Sequence, residues 1–273
     1  MINCMITASI ILDSISSNNK VRLTTYELTY PRYIHSEFMT HRMFSRNASS
    51  SRAIPISKII EEVKTNPVVP VEWGKNQKGM QARELLSDES SKEAKDTWLK
   101  IANETIHYAE KLQSLGVHKQ IVNRLLEPYS YIKVICTATE YQNFFKLRAH
   151  EDAQPEIRIL AEKMLEAYNI SQPKLINNDS YHLPYVTAYE LASYNTSALI
   201  KCSIARCARV SYKNHDGTNN TLEQNLQLYD RLLSSRHLSP FEHVAKPDTL
   251  EFHANFYGWK SIRRTIPGEY IPR

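Results

Sequence analysis

Glycine is scarce in this chain, with six residues in 273. None of the signatures GxGxxG, GxxxxGK[ST] or GxSxG occurs, which excludes the common glycine-loop nucleotide sites and a nucleophile elbow. Any phosphate must therefore be held by side chains. Cysteine is equally sparse: Cys4, Cys136, Cys202 and Cys207 form no CxxC pair. That argues against a zinc ribbon, leaves no metal site to predict, and suits a reducing, cytoplasmic setting without a structural disulfide. Long apolar runs are missing too. Residues 69–71 and 131–134 meet charge within a few positions, whereas a bilayer span needs roughly 18 apolar residues, so no membrane role is expected. The opening Met1-Ile2-Asn3-Cys4 has no basic stretch followed by an apolar run, and no secretory signal is expected.

What is present is ordinary for a soluble globule, with 42% hydrophobic and 23% charged residues. Lys and Arg number 34 against 29 acidic residues, a net charge of +5 that suits an anionic ligand or a nucleic acid. Arginine is clustered, as Arg42, Arg46 and Arg52 and again as Arg263 and Arg264.

Periodicity predicts strands over residues 1–10 and 21–29, then a helix over 32–43 and a Ser/Asn/Arg loop over 45–52. Residues 66–79 read as an irregular excursion. Helices are predicted over 98–112, stopped by Gly116, over 118–126, broken by Pro128, over 139–147 and over 154–168. Residues 170–185 read as a connection, 187–191 as ambiguous, and 204–212 as strand-like at its end. Asn214-His215-Asp216-Gly217 reads as a turn. Thr221-Leu222-Glu223-Gln224 is a capping box that opens another helix, and 250–256 is strand-like.

Three polar groups could carry chemistry. The densest is Thr40-His41-Arg42-Met43-Phe44-Ser45-Arg46-Asn47-Ala48-Ser49-Ser50-Ser51-Arg52, whose guanidiniums suit phosphate oxygens; a solvated loop is the plainer reading. The second is Asn143-Phe144-Phe145-Lys146-Leu147-Arg148. On a helix Asn143 and Arg148 stand about 140° apart, so they either flank a ligand or are surface residues. The third, His237-Leu238-Ser239-Pro240-Phe241-Glu242-His243, fits no compact zinc spacing and reads as core or as a ligand contact.

These groups carry a resemblance to the flavin-dependent thymidylate synthases, whose signature has the form RHRxxSxNExSxRY. His41, Arg42, Ser45, Asn47, Ser50 and Arg52 agree with it, while Thr40, Ala48 and Ala53 stand where the family has Arg, Glu and Tyr. Glu37 occupies the acidic or amide position three residues earlier. Asn123-Arg124-Leu125-Leu126-Glu127-Pro128 resembles the family's ARxxLP, and Asn143 to Arg148 with Ala153-Gln154-Pro155-Glu156-Ile157 resembles NFxxLRxxxxAQxEI. Two segments that open the family, ARVSY and H-x-S-P-x-EH, here follow the arginine motif as residues 208–212 and 237–243. The chain thus resembles a circularly permuted member.

The resemblance implies an α/β fold, a curved sheet with surrounding helices, as one domain over 1–273 with an unplaced insertion-like region near 55–115. It implies a homotetramer that uses FAD, NADPH and methylenetetrahydrofolate to place a methyl group on carbon 5 of dUMP. Carried over residue by residue, His41, Arg42, Asn47, Asn143 and His243 would bind the flavin. Glu37, Ser50, Arg52, Arg124 and Arg148 would bind the nucleotide, with Arg148 as the catalytic group. The arginine surplus suggests Arg46, Arg263 or Arg264 as a replacement for the arginine missing at position 40. Hydroxymethylation of the same nucleotide is the alternative reaction. A basic nucleic-acid-binding protein, or a non-catalytic nucleotide-binding relative, is the alternative class.

Overall fold

The computed structural model describes residues 5–210 and 220–269. In chain order the elements are β1 (Thr7–Ser16), β2 (Arg22–Pro31), α1 (His35–Met39), β3 (Ser45–Ala48), α2 (Ile56–Thr65), α3 (Asp88–Ser114), α4 (Lys119–Leu126), β4 (Tyr131–Ala138) and α5 (Gln142–Arg148). They continue with α6 (Pro155–Ile170), β5 (Lys174–Ile176), α7 (Ala188–Ser193), α8 (Thr196–Ala208), α9 (Leu222–Ser234), β6 (Ala245–His253) and β7 (Phe256–Ser261). The main sheet has the order β3-β4-β2-β1-β5, antiparallel except where β5 runs beside β1. A second sheet is the β6–β7 hairpin. This is the mixed α/β class the sequence suggests.

Alternation along the strands gives the sheet two different faces. On one, Tyr26, Leu28 and Tyr30 of β2 and Val134, Cys136 and Ala138 of β4 join Tyr141 just before α5, Phe144 of α5, and Ile157, Leu160 and Met164 of α6 in the largest core. Burial of each Phe here contributes about 1.5–3 kcal/mol. On the other face Leu23 packs with Ile176, Ala245, Phe256 and Trp259. The C-terminal hairpin is fastened there by Asn19, whose Nδ2 donates to the carbonyls of Asp248 (3.0 Å) and Gly258 (2.8 Å). Gly258 has φ +68°, and a Cβ on it would lie 2.9 Å from Asn19 Nδ2, so glycine is required.

The region near 55–115 is a helical layer with its own core, Ile59, Ile60 and Val63 against Ala102, Ile106, Ala109, Val122 and Leu126. Its excursion is held by α6: Glu156 accepts from the Val71 N–H (3.0 Å), and Arg158 pairs with Glu72 (2.6 Å).

Several local expectations need correcting. Among the described residues the first strand is Thr7–Ser16, so it runs well beyond the end expected near residue 10. The helix predicted over 32–43 is a 3₁₀ turn (Arg32–Ile34) and the short α1, because the backbone must turn back into β3. The predicted loop contains β3, whose polar side chains suit an edge strand. Of the 204–212 stretch expected to be strand-like at its end, residues 204–208 are the end of α8, which Asn195 caps, and residues 211–212 lie outside the described residues. The ambiguous 187–191 stretch leads into α7 through a Thr187/Glu190 capping box. Cys4, Ser211, Tyr212 and the turn 214–217 lie outside the described residues.

Asp13 joins three elements. Arg22 donates to it from Nε (2.9 Å) and Nη2 (2.6 Å), Thr24 Oγ1 at 3.0 Å and Ser171 Oγ at 2.6 Å. Breaking a buried pair on one side leaves a charge without compensation. Asp13→Ala is therefore expected to lower unfolding free energy by about 3–5 kcal/mol in urea titrations; a loss under about 1 kcal/mol, the range of an exposed pair, contradicts this.

Candidate active site

The turn from α1 into β3 is shaped by Arg46. Its Nη1 donates to the carbonyls of Phe38 (3.2 Å), Met39 (3.0 Å) and His41 (3.1 Å), adding to the backbone N–H bonds that Phe38 and His41 already accept. Thr40 Oγ1 donates to the Glu37 carbonyl (2.7 Å). Thr40 thus serves the turn, and Arg46 is tied into its backbone rather than extended as a substitute ligand. Arg263 is likewise paired with Glu242 (2.8 Å) and with Glu269.

This turn places the His41 ring edge-on to Phe144, with centroids 4.8 Å apart. Arg148 Nε donates to His41 Nε2 at 3.0 Å, bringing together two residues 107 positions apart. The accepting Nε2 assigns the imidazole proton to Nδ1 when the ring is neutral. Burial, then the positive charges of Arg148 and Arg46, lower the His41 pKa to about 4. Arg42 and Asn143 are exposed on the same two stretches of chain, and Glu37 is half-buried one turn earlier on α1.

A second group forms beyond the other end of β3. Asn123 Nδ2 donates to the carbonyls of Ser51 (2.8 Å) and Ile54 (3.0 Å), and Ser51 Oγ donates to Glu127 (2.6 Å). Arg124 pairs with the same Glu127 at 3.0 Å. The clamped turn presents Ser50 and Arg52 to a cavity of about 420 Å³ that His118, Lys119, Gln120 and His237 also line. Its cationic and neutral polar walls suit an anion. His118, Lys119 and Gln120 escaped the sequence reading, although their place at the predicted start of α4 was the available signal. Arg42, Arg52, Arg124 and Arg148 therefore do not meet in one cleft of a single chain. The four residues of β3, about 13 Å of strand, separate the His41–Arg148 pair from the Ser50–Arg52 cavity.

The third group folds back onto this edge. Asn47 Nδ2 donates to the Cys207 carbonyl (2.8 Å), and Ser239 Oγ donates to Asn47 Oδ1 (3.2 Å). Asn47 also lines the cavity, but both ends of its amide serve as a bolt to the C-terminal segments. His243 is fully buried, with Nδ1 2.8 Å from Thr137 Oγ1 and no partner at Nε2 among the described residues.

Residues 19–173, more than half the chain, match the family described as thymidylate synthase complementing protein. The chain belongs to this family. Its similar relatives include the flavin-dependent thymidylate synthase of Thermococcus onnurineus (strain NA1), 30% identical over 136 residues, 49% of each chain. That of Pyrococcus furiosus is 32% identical over 132 residues, 48% of this chain and 47% of the relative. The chain thus spans about half the length of the curated relatives it matches. Among solved structures, a UMP/dUMP methylase PolB from Streptomyces cacaoi bound with 5-Br UMP aligns with TM-score 0.52 and 17% identity, over 61% of this chain and 89% of that one. That likeness shows a shared fold. No helix among the described residues is long and apolar enough to cross a membrane, and no cluster of metal-binding side chains occurs among them.

Four histidines have lowered pKa values: His35 and His41 to about 4, His182 and His243 to about 3, each chiefly through burial. Their folded pKa values lie below the ordinary 6.5, so acid favours the unfolded chain. Stability is expected to be fully present above pH 6.5 and to fall steadily toward pH 3–4. In imidazole NMR titrations Arg148→Gln should raise the His41 pKa by removing a like charge. An unchanged His41 titration in that variant contradicts the contact.

Proposed function

We propose that this family member is an FAD-dependent enzyme that transfers a one-carbon unit from methylenetetrahydrofolate to carbon 5 of dUMP, giving dTMP. The observation that carries this reading is the Arg148–His41 contact beside exposed Arg42 and Asn143. It gathers the arginine signature and the NFxxLR segment at one point. The relatives named as flavin-dependent thymidylate synthases support it.

The residues fit a flavin. The chain has no glycine loop for a dinucleotide phosphate, and His243 carries a buried Nε2 without a partner among the described residues. In this reading His41, Arg42, Asn47, Asn143 and His243 hold FAD, which when bound and reduced by NADPH supplies the hydride that completes the methyl group. Arg148 is tied to His41 through Nε, and its terminal nitrogens make no hydrogen bond among the described residues. They are available to orient the pyrimidine and stabilise negative charge as carbon 5 becomes nucleophilic. A neutral His41 keeps the Nε2 acceptor that holds Arg148 in place, which a protonated ring would lack. Ser50, Arg52 and Arg124, with Glu37, bind the nucleotide, and Arg52 and Arg124 take its phosphate.

The separation of the two groups along β3 favours a homotetramer in which different copies complete each site. We read the chain as one cytoplasmic domain whose 55–115 layer carries α4 to the nucleotide end. The motif order reads as a circular permutation, supported by the docking of Cys207 and Ser239 onto Asn47.

Anaerobic incubation with FAD, NADPH, dUMP and methylenetetrahydrofolate, followed by mass analysis of the nucleotide, is expected to show the gain of one methyl. Arg148→Ala should lower kcat about 10²–10³-fold, and Arg52→Ala should raise the KM for dUMP. A hydroxymethyl product supports the alternative reaction. A colourless protein that forms no product and binds DNA with steep salt dependence overturns both.

A further inference from the structure

The start of α4 is built to face the Ser50–Arg52 turn. Helix α3 stops at Gly116, whose φ of +80° favours glycine, and His118 caps α4 two residues later. His118 Nδ1 accepts from the Gln120 N–H at 3.3 Å. A neutral imidazole that accepts at Nδ1 carries its proton on Nε2, so the cap makes His118 a donor at its outer edge. Lys119 Nζ donates to the Ala53 carbonyl at 3.1 Å. Asn123, one helical turn further along the same face, holds the Ser51 and Ile54 carbonyls. These bonds fix the first turn of α4 and the Ser50–Arg52 turn as two walls of one cavity.

The charge of that cavity is one-sided. Among the described residues no carboxylate lines it, and its fixed cations are Arg52 and Lys119. Neither forms an ion pair among the described residues. Like charges that share a space repel, and a bound anion relieves that repulsion. An ammonium has three N–H donors, of which Lys119 spends one on Ala53. Arg52 and His118 are exposed and Lys119 is half-buried, so all three are open to a ligand. Arg124 differs: it does not line the cavity and is paired with Glu127. Within one chain, the cation that shares this cavity with Arg52 is Lys119.

We infer that His118 and Lys119 are further phosphate ligands of the nucleotide site, His118 through its Nε2–H and Lys119 through its ammonium. The inference rests on the dUMP reading above and adds to it the residues that select the 5′-monophosphate over the nucleoside. A phosphate ligand contributes only when phosphate is present. Its loss therefore weakens dUMP relative to deoxyuridine, whereas a loosened fold weakens both.

Calorimetric titration of the full chain with dUMP and with deoxyuridine separates these cases. Lys119→Gln keeps an N–H for the Ala53 carbonyl and removes the charge. It should lower the ratio of dUMP to deoxyuridine affinity about tenfold, the scale of a hydrogen bond to a charged group. Lys119→Arg, which keeps the charge, should lose markedly less. His118→Ser keeps an oxygen that can cap α4 but lacks the outer N–H, and should lower the ratio severalfold. Native near-UV circular dichroism is the folding control for each variant. An unchanged ratio in one variant removes that residue from the site, and an unchanged ratio in both overturns the inference. Phosphorus NMR titration with inorganic phosphate is the separate arm. Phosphate binding that Lys119→Gln abolishes, in a protein that does not bind dUMP, upholds the anion site and defeats the dUMP reading. A wild-type protein that binds neither defeats both.

Discussion

The candidate site depends on how the chain leaves α1. A helix end exposes carbonyl oxygens that must find donors, and here Arg46, from the strand that follows, adds its guanidinium to the backbone N–H groups that meet them. That arrangement fixes a tight turn with His41 at its inner edge, where Phe144 packs against the ring and Arg148 donates to it. Burial, and then the two guanidiniums, keeps this histidine neutral. The arginines of the signature thus differ in their surroundings: Arg46 is tied to the backbone, and Arg42 is exposed.

Much of this was legible in the sequence. The helical stripe over 154–168, the Gly116 stop and the Thr221 capping box fall where the structure has α6, the end of α3 and the start of α9. Strand β4 was hard to see because it is buried on nearly every residue and shows no alternation. Strand β3 was hidden for the opposite reason: Ser45, Arg46 and Asn47 read as a polar loop until β4 supplies the partner. The seam of Thr25 and Thr137 could not be read from either segment alone. Only the register that opposes them reveals it. Residues 55–115 could not be placed from motifs because they supply a supporting layer, held by apolar packing, that brings α4 to the Ser50–Arg52 turn.

The two faces of the sheet have different tasks. One is apolar and anchors α5 and α6, and so fixes the helix that carries Asn143 and Arg148. The other admits hydroxyls and histidines at its centre and receives the C-terminal segments. Buried polar contacts of this kind are costly when half made, so the seam also defines how those segments dock. The same β4 strand serves both faces, Cys136 inward to the core and Thr137 toward His243.

In the proposed reading Arg148, held by His41, lies where a nucleotide meets a flavin. The visible absorbance of the FAD-loaded protein, recorded with and without dUMP, reports on that junction. A clear dUMP-induced change in the flavin bands is expected of the wild-type protein, and Arg148→Gln should abolish it while FAD remains bound. An identical dUMP response in Arg148→Gln, or none in the wild type, would contradict it.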